Sequence, residues 1–184
     1  MNIVFCHGVE PPGCEPSYNP NKSWKDWLQF TVETQNDIIM QIPRFPHASV
    51  LGMKYAEWAE IMDRQQIDND TVLIGHSGGG GFILKYISLN PLLHPKQIIL
   101  VAPWCDTGGA NPFGFYKDFQ LDAEIFDRTV YGIDLVISDN DIQEMVNSSN
   151  KIRADIPKIR VHNFPGKGHF VSKELPEIIP IIKF

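Results

Sequence analysis

Three residue types that can act together on a carbonyl carbon occur along the chain in the order serine, aspartate, histidine. Ser77 lies in the stretch "GHSGG", Asp139 and Asp141 lie in "SDND", and His169 lies in "PGKGHF". A serine hydroxyl is a weak nucleophile that a histidine can activate, and a carboxylate can hold that histidine in the required tautomer. The set therefore predicts nucleophilic attack by Ser77.

The residues around Ser77 predict a sharp turn between a strand and a helix. One apolar run leads into the turn and a second one follows it. Residues two positions before and after the nucleophile approach each other in such a turn, so Gly75 and Gly79 meet a steric requirement. The turn does not require Gly80 and Gly81. We expect these two glycines to let the helix pack closely against the sheet.

A phosphate-binding loop is the alternative interpretation of these glycines. A P-loop carries Lys and then Ser or Thr after its glycines, whereas Phe82 and Ile83 stand here. The dinucleotide-binding pattern G-x-G-x-x-G belongs after the first strand of its unit, and this stretch follows the third predicted strand. We therefore favour the turn that presents a serine.

The partners of Ser77 are expected on two later loops. His169 follows two glycines and is the candidate general base, although an exposed loop histidine is the simpler explanation of that residue alone. The acid is Asp139 or Asp141, since either aspartate could instead cap the following helix. The backbone N–H groups of Gly78 and Val9 are the candidate oxyanion donors.

The elements that position these residues alternate between short apolar strands and amphipathic helices. This alternation predicts an α/β fold of three layers, in which a mostly parallel sheet of about six strands lies between helices, as a single domain over 1–184. The predicted strands are 3–6, 37–43, 71–75, 97–103, 133–138 and 158–164, and the predicted helices are 21–34, 54–66, 78–89, 121–130, 142–153 and a short one after Leu175.

Candidate residues follow the predicted strand ends, where open α/β sheets bind their ligands. His7 follows the first strand and is a candidate substrate-binding residue. The aromatic residues of the long loop after the fourth strand are further candidates for an acyl pocket, with covering of the sheet as the alternative. They are Trp104, Phe113, Phe115 and Tyr116.

Composition excludes several other classes of function. The chain has 184 residues with a formal net charge of −6 and no basic footprint, so we expect no nucleic-acid or membrane partner. Cys6, Cys14 and Cys105 fit neither a disulfide framework nor a zinc site, and the six histidines lack metal-ligand spacing. We expect no metal or other cofactor, no signal peptide, no transmembrane segment and a cytoplasmic location.

The motifs "GHSGG", "SDND" and "GKGHF", in this order, resemble the small α/β-hydrolases of the retinoblastoma-binding-protein-nine and YdeN type. The resemblance implies a minimal α/β-hydrolase fold without a large lid, and carboxylesterase-type activity on short acyl esters. The acid of that family ends an S-x-x-D pattern, which selects Asp141. The chain departs from the family at Ile142, where proline is usual, and at Glu144, where an apolar residue is common.

Two classes of function follow. The first is a serine hydrolase that acts on a small-molecule acyl substrate, with Ser77, Asp141 and His169 as its triad. The alternatives are a peptidase or thioesterase variant of the same chemistry and a non-enzymatic module that binds a protein partner on the same fold.

Overall fold

Six strands form one all-parallel sheet in the order β2-β1-β3-β4-β5-β6. The computed structural model describes residues 1–9, 23–35, 38–117 and 119–184. Because every strand is parallel, all carboxyl ends meet at one edge of the sheet. The strands are β1 (Asn2–Cys6), β2 (Ile39–Gln41), β3 (Thr71–His76), β4 (Gln97–Val101), β5 (Ile133–Ile137) and β6 (Arg160–Asn163).

Helices cover both faces of this sheet. One face packs against α2, α3 and α4, and the other packs against α1 and a C-terminal 3-10 helix. The predicted three-layer α/β architecture is confirmed. The helices are α1 (Trp24–Gln35), α2 (Tyr55–Met62), α3 (Gly78–Leu89), α4 (Gln143–Asp155) and the 3-10 helices Ala123–Ile125 and Pro176–Ile181.

Strand side chains divide between two hydrophobic cores in the alternating pattern of a sheet buried on both faces. On β1, Val4 and Cys6 belong to the core under α3, whereas Ile3 and Phe5 belong to the core under α1. Burial raises the pKa of the Cys6 thiol, so Cys6 is a small buried apolar residue, as expected. Cys14 lies outside the described residues.

Two predicted helices differ from the structure. The predicted helix 121–130 is only the 3-10 turn Ala123–Ile125, in which the Asp122 side chain accepts the Glu124 N–H. The predicted C-terminal helix is a 3-10 helix that begins at Pro176 and has Pro180 inside it, and Pro180 lacks the N–H that an α-helix interior requires. Within the described parts of the chain, no helix is long and apolar enough to cross a membrane.

Candidate active site

Ser77 occupies a strained turn between β3 and α3. Its φ of 53° and ψ of −123° lie in a region that residues other than glycine rarely adopt. The turn is held by its neighbours: the Ser77 N–H donates to the Val101 carbonyl (3.0 Å) and the Ser77 carbonyl accepts from the Trp104 N–H (2.9 Å). Backbone hydrogen bonds from the end of β4 thus stabilise a conformation that Ser77 alone would not prefer.

The glycines after Ser77 let α3 contact the sheet through bare backbone. A Cβ on Gly79 would lie 2.1 Å from the Cys6 carbonyl oxygen, and a Cβ on Gly75 would lie 2.6 Å from Gly80 Cα. A Cβ on Gly81 would lie 2.0 Å from the Trp104 carbonyl oxygen. Gly81 is therefore required for the packing of the loop after β4, a reason that the sequence expectation lacked.

His169 and Asp141 form a hydrogen-bonded pair at the carboxyl edge of the sheet. The His169 Nδ1 atom lies 3.0 Å from Asp141 Oδ1 and 3.4 Å from Oδ2. The Asp141 side chain is 4% exposed, and its Oδ1 also accepts the Ile142 N–H at 2.7 Å. Since a carboxylate only accepts, Nδ1 carries the proton and Nε2 of a neutral imidazole is the unprotonated nitrogen.

Asp139, the other candidate acid, makes a different contact. Its Oδ1 accepts the N–H of Gly166 at 2.8 Å, and the residue is exposed. Asp139 therefore orders the loop that carries His169, while Asp141 contacts the imidazole ring.

Ser77 and His169 line one cavity of about 620 Å³ that opens at the carboxyl edge. Five further charged or polar residues also line it: His7, Ser23, Lys25, His76 and Glu144. Its remaining walls are mostly apolar and aromatic: Phe5, Trp24, Val50, Trp104, Ala110, Ile142, Met145, Phe170 and Val171.

The two candidate oxyanion donors are neighbours beside Ser77. A Cβ on Gly78 would lie 3.1 Å from the Val9 methyl groups, and a Cβ on Gly8 would lie 3.0 Å from Ser77 Cβ. Gly78 is the first residue of α3, so its N–H has no acceptor within the helix. The loop after β1 and the start of α3 thus meet at the nucleophile.

Only one of the four aromatic candidates lines the cavity, namely Trp104. Phe115 packs in the core, with its ring centroid 5.3 Å from that of Trp58, and the Tyr116 hydroxyl donates to the Gly78 carbonyl at 2.7 Å. Phe113 is 56% exposed. These positions correct the expectation that Phe113, Phe115 and Tyr116 wall an acyl pocket, because the loop turns two of these rings inward and one outward.

His7 lines the cavity, but both ring nitrogens have protein partners. Its Nε2 accepts the Phe45 N–H at 3.3 Å, so the proton is on Nδ1, which donates to the Gly8 carbonyl at 2.8 Å. Burial and the nearby Lys25 charge lower its pKa, outweighing the opposite effect of the bond to Gly8. His7 therefore shapes the wall and holds the loop that carries Val9.

Sequence reasoning missed His76, the residue immediately before Ser77. Its Nε2 lies 2.9 Å from the His169 carbonyl oxygen, and because a carbonyl only accepts, this Nε2 carries a proton. Burial, together with the neighbouring His169, lowers the pKa of His76 to about 4. The available signal was its position directly before Ser77 in "GHSGG". The pattern G-x-S-x-G does not specify the residue type at that position, so His76 was passed over.

Comparison with solved structures identifies the architecture. The ydeN gene product from B. subtilis has a TM-score of 0.78 over 98% of this chain and 95% of its own, at 17% identity. An α/β hydrolase enzyme from the metagenome of Mar Chica lagoon sediments has a TM-score of 0.65 over 96% and 85%, at 15% identity. The chain has the α/β-hydrolase fold.

Est1E from Butyrivibrio proteoclasticus, in a structure with ferulic acid bound, has a TM-score of 0.62 over 97% of this chain and 84% of its own, at 12% identity. Neither a family model nor a curated protein matches the sequence. The expected likeness to YdeN-type α/β-hydrolases is therefore confirmed at the level of the fold. In that α/β-hydrolase fold, the described residues include no cluster of three or more side chains suited to a metal ion.

Proposed function

We propose that the chain is a serine hydrolase that cleaves small carboxylic esters with an apolar acyl group. The observation that carries this proposal is the His169–Asp141 hydrogen bond of 3.0 Å beside a cavity that also contains Ser77 in its strained turn. A histidine with a purely structural role would not require a serine in a strained backbone conformation in the same cavity.

Each residue of the proposed triad has a defined part. The unprotonated Nε2 of His169 accepts the Ser77 hydroxyl proton while Oγ bonds to the ester carbonyl carbon. Asp141 holds the tautomer and stabilises the imidazolium. The same proton passes from His169 to the leaving alcohol as the C–O bond breaks, and water then hydrolyses the acyl-enzyme by the reverse sequence.

The developing negative charge on the carbonyl oxygen is assigned to the N–H groups of Gly78 and Val9. Gly78 begins α3, where the aligned peptide dipoles favour an anion. The Tyr116 hydroxyl holds the Gly78 carbonyl at 2.7 Å, and the Val9 methyl groups pack against the Gly78 backbone. These contacts keep the two donors in place before the reaction, so little reorganisation is needed.

The cavity walls support an apolar acyl group. Trp24, Phe5 and Trp104 offer aromatic surface, and Ile142 and Val171 are exposed at its rim. Similar solved structures include the naproxen esterase from Bacillus subtilis, with a TM-score of 0.56 at 12% identity. Esters of aromatic or medium-length acyl groups fit this lining better than charged acids do.

Labelling with a fluorophosphonate probe tests the proposal. We expect Ser77 to be labelled in the folded protein, with no labelling of Ser77→Ala, and ester hydrolysis to fall by at least about 10³-fold in that variant. Equal labelling of both proteins, or none in either, contradicts the proposal and favours a non-enzymatic module. A panel of p-nitrophenyl esters, acyl thioesters and aminoacyl anilides then separates esterase, thioesterase and peptidase activity.

A further inference from the structure

Two short segments, 138–141 and 166–169, are joined residue by residue through hydrogen bonds. Every residue of segment 138–141 contributes a side-chain acceptor, and every residue of segment 166–169 contributes one donor. The four bonds are Gly166 N–H to Asp139 (2.8 Å), Lys167 N–H to Ser138 (3.0 Å), Gly168 N–H to Asn140 (2.7 Å) and His169 Nδ1–H to Asp141 (3.0 Å).

Segment 166–169 has little intrinsic preference for the conformation that it adopts. Gly166 and Gly168 have φ values of 73° and 55°, and Phe170, directly after His169, has a φ of 52°. A Cβ placed on either glycine would meet nothing within 4 Å, so side-chain packing does not hold these residues. Hydrogen bonds to segment 138–141 are therefore a main constraint on where the segment lies.

The peptide that joins Lys167 to Gly168, one residue before His169, is held by Asn140. Its Oδ1 accepts the Gly168 N–H and also the hydroxyl of Ser138, at 2.8 Å, so the amide is itself oriented. Ser138 is buried, accepts the Lys167 N–H and thus links neighbouring bonds. On the other side of His169, the carbonyl is held by His76 Nε2 at 2.9 Å. The backbone of His169 is fixed from both sides.

We propose that Asn140 is a positioning residue that keeps His169 paired with Asp141. Without the bond to Gly168, rotation of the Lys167–Gly168 peptide would move the His169 ring relative to the carboxylate and to Ser77. The other anchors are the His76 bond, the Lys167–Glu177 ion pair at 2.5 Å and the Phe170 N–H, which donates to the Lys167 carbonyl at 3.1 Å. Among these contacts, the Asn140 bond is the one that joins the Lys167–Gly168 peptide to the segment that carries Asp141. The catalytic aspect of this proposal rests on the proposed function, whereas the pairing is a property of the folded chain.

The test compares Asn140→Ala, Asn140→Asp and the control Asn150→Ala, which removes an exposed asparagine on α4. We expect Asn140→Ala to lower kcat and the rate of fluorophosphonate labelling about tenfold, with KM within about twofold. Asn140→Asp retains the acceptor, so it restores kcat near pH 8 to within about twofold. Its added carboxylate moves the acidic limb of the kcat profile to higher pH, because it favours the imidazolium.

Hydrogen exchange, followed by NMR, gives a readout that does not depend on activity. The Gly168 amide and the His169 Nδ1 proton should exchange at least about tenfold faster in Asn140→Ala than in the parent and in Asn150→Ala. Unchanged exchange of both protons, or unchanged kcat in an active enzyme, overturns the inference. A parent protein that Ser77-directed probes do not label instead overturns the proposed function, and the exchange rates still decide whether Asn140 positions His169.

Discussion

Among the described residues, two histidine–aspartate pairs lie on or just after β5 and β6, and they differ in their surroundings. His169 and Asp141 lie past the carboxyl ends of these strands, with His169 Nδ1 3.0 Å from Asp141 Oδ1, and His169 lines the cavity that also contains Ser77. His162 and Asp134 lie within the strands, at 2.8 Å. The same chemical pair therefore occurs twice in one sheet, and its surroundings decide what it can do.

The second pair belongs to an amino-end cluster formed by Gln97, Asp134, Arg160 and His162. Both Asp134 oxygens are occupied: Arg160 donates to each, at 2.9 and 2.7 Å, and Gln97 donates to Oδ2 at 2.6 Å. Gln97 also binds the Ile181 carbonyl and the Lys183 N–H, which fastens the C-terminal segment to the sheet. A carboxylate whose two oxygens are both bonded to side chains of the sheet stabilises the fold, whereas a histidine that lines a cavity and has an unprotonated Nε2 can transfer protons.

The largest expected effect is on catalysis, in Asp141→Asn. An asparagine amide favours the wrong imidazole tautomer, so kcat should fall by about 10⁴-fold while the melting temperature changes little. Steady-state kinetics with a p-nitrophenyl ester measures the loss. As a control, Asp139→Asn keeps an acceptor for Gly166 and should change kcat by less than about threefold. Similar losses in the two variants would contradict the distinction between these aspartates.

The corresponding change in the amino-end cluster, Asp134→Asn, should affect stability instead. It removes the partner of Arg160 from a nearly buried site and should lower the free energy of unfolding by about 3 kcal/mol. Urea unfolding measures this loss, and kcat below the melting transition should stay within about twofold of the parent. A variant that lost activity while fully folded would break the contrast between the two pairs.

The two ends of the sheet should lose their contributions to stability at different pH values. The pKa of His76 is lowered to about 4 from its ordinary value of 6.5, so the folded state favours the neutral ring. That contribution is complete above pH 6.5 and is lost as the pH falls towards 4, by about 3 kcal/mol. His76→Gln keeps a donor for the His169 carbonyl without titrating, and should show a flatter stability profile over this range. His7 is present in both proteins, so its own contribution to the pH dependence of stability cancels when the two profiles are compared.

Asp134 should act at lower pH. Burial alone would raise its pKa, but the hydrogen bonds from Arg160, His162 and Gln97 outweigh burial and lower the pKa. Its contribution to stability is therefore present above pH ~4 and is lost as the pH falls further. At pH 5, His76→Gln should change the free energy of unfolding by the same amount in the Asp134→Asn background as in the parent. If Asp134→Asn abolished the loss of stability near pH 5, that loss would arise from Asp134 and not from His76, contrary to the prediction.

The smallest expected effect is that of His162→Ala. The His162 side chain is 32% exposed, and Asp134 keeps Arg160 and Gln97, so the free energy of unfolding should fall by about 1 kcal/mol or less. We expect kcat to be unchanged. The matched variant His169→Ala should instead lose at least about 10³-fold in kcat with little change in stability. Thermal melting and ester kinetics on the two proteins complete the comparison.

The strand positions could be predicted because they follow from local patterns. The order serine, aspartate, histidine is also visible in the motifs, but the residues alone left Asp139 and Asp141 open and the family resemblance selected Asp141. Apolar runs indicate buried strands, and parallel strands place their carboxyl ends together. The predicted ends were least accurate where local preference was weak. The predicted strand 37–43 is only Ile39–Gln41, and the predicted helix 121–130 is a 3-10 turn.

Other features depend on contacts that sequence distance conceals. Asn140 and Gly168 are 28 positions apart, and no periodicity links an asparagine side chain to one particular amide. The loop after β4 presents its aromatic rings without a repeating pattern, so their directions could not be read from spacing. That is why Phe115 and Tyr116 belong to the interior, while Trp24 and Met145, which line the cavity, were not selected as candidates.

The close contact between α3 and its surroundings also limits how the protein could be engineered. Gly79 and Gly81 each face a carbonyl oxygen at a distance that excludes any side chain, so random libraries at these positions should return almost no folded clones. If the proposed hydrolase is engineered for other substrates, the substitutions therefore have to be made at other residues that line the cavity. Ile142, Met145 and Val171 line the cavity from α4 and the loops, and substitutions there leave the serine turn untouched.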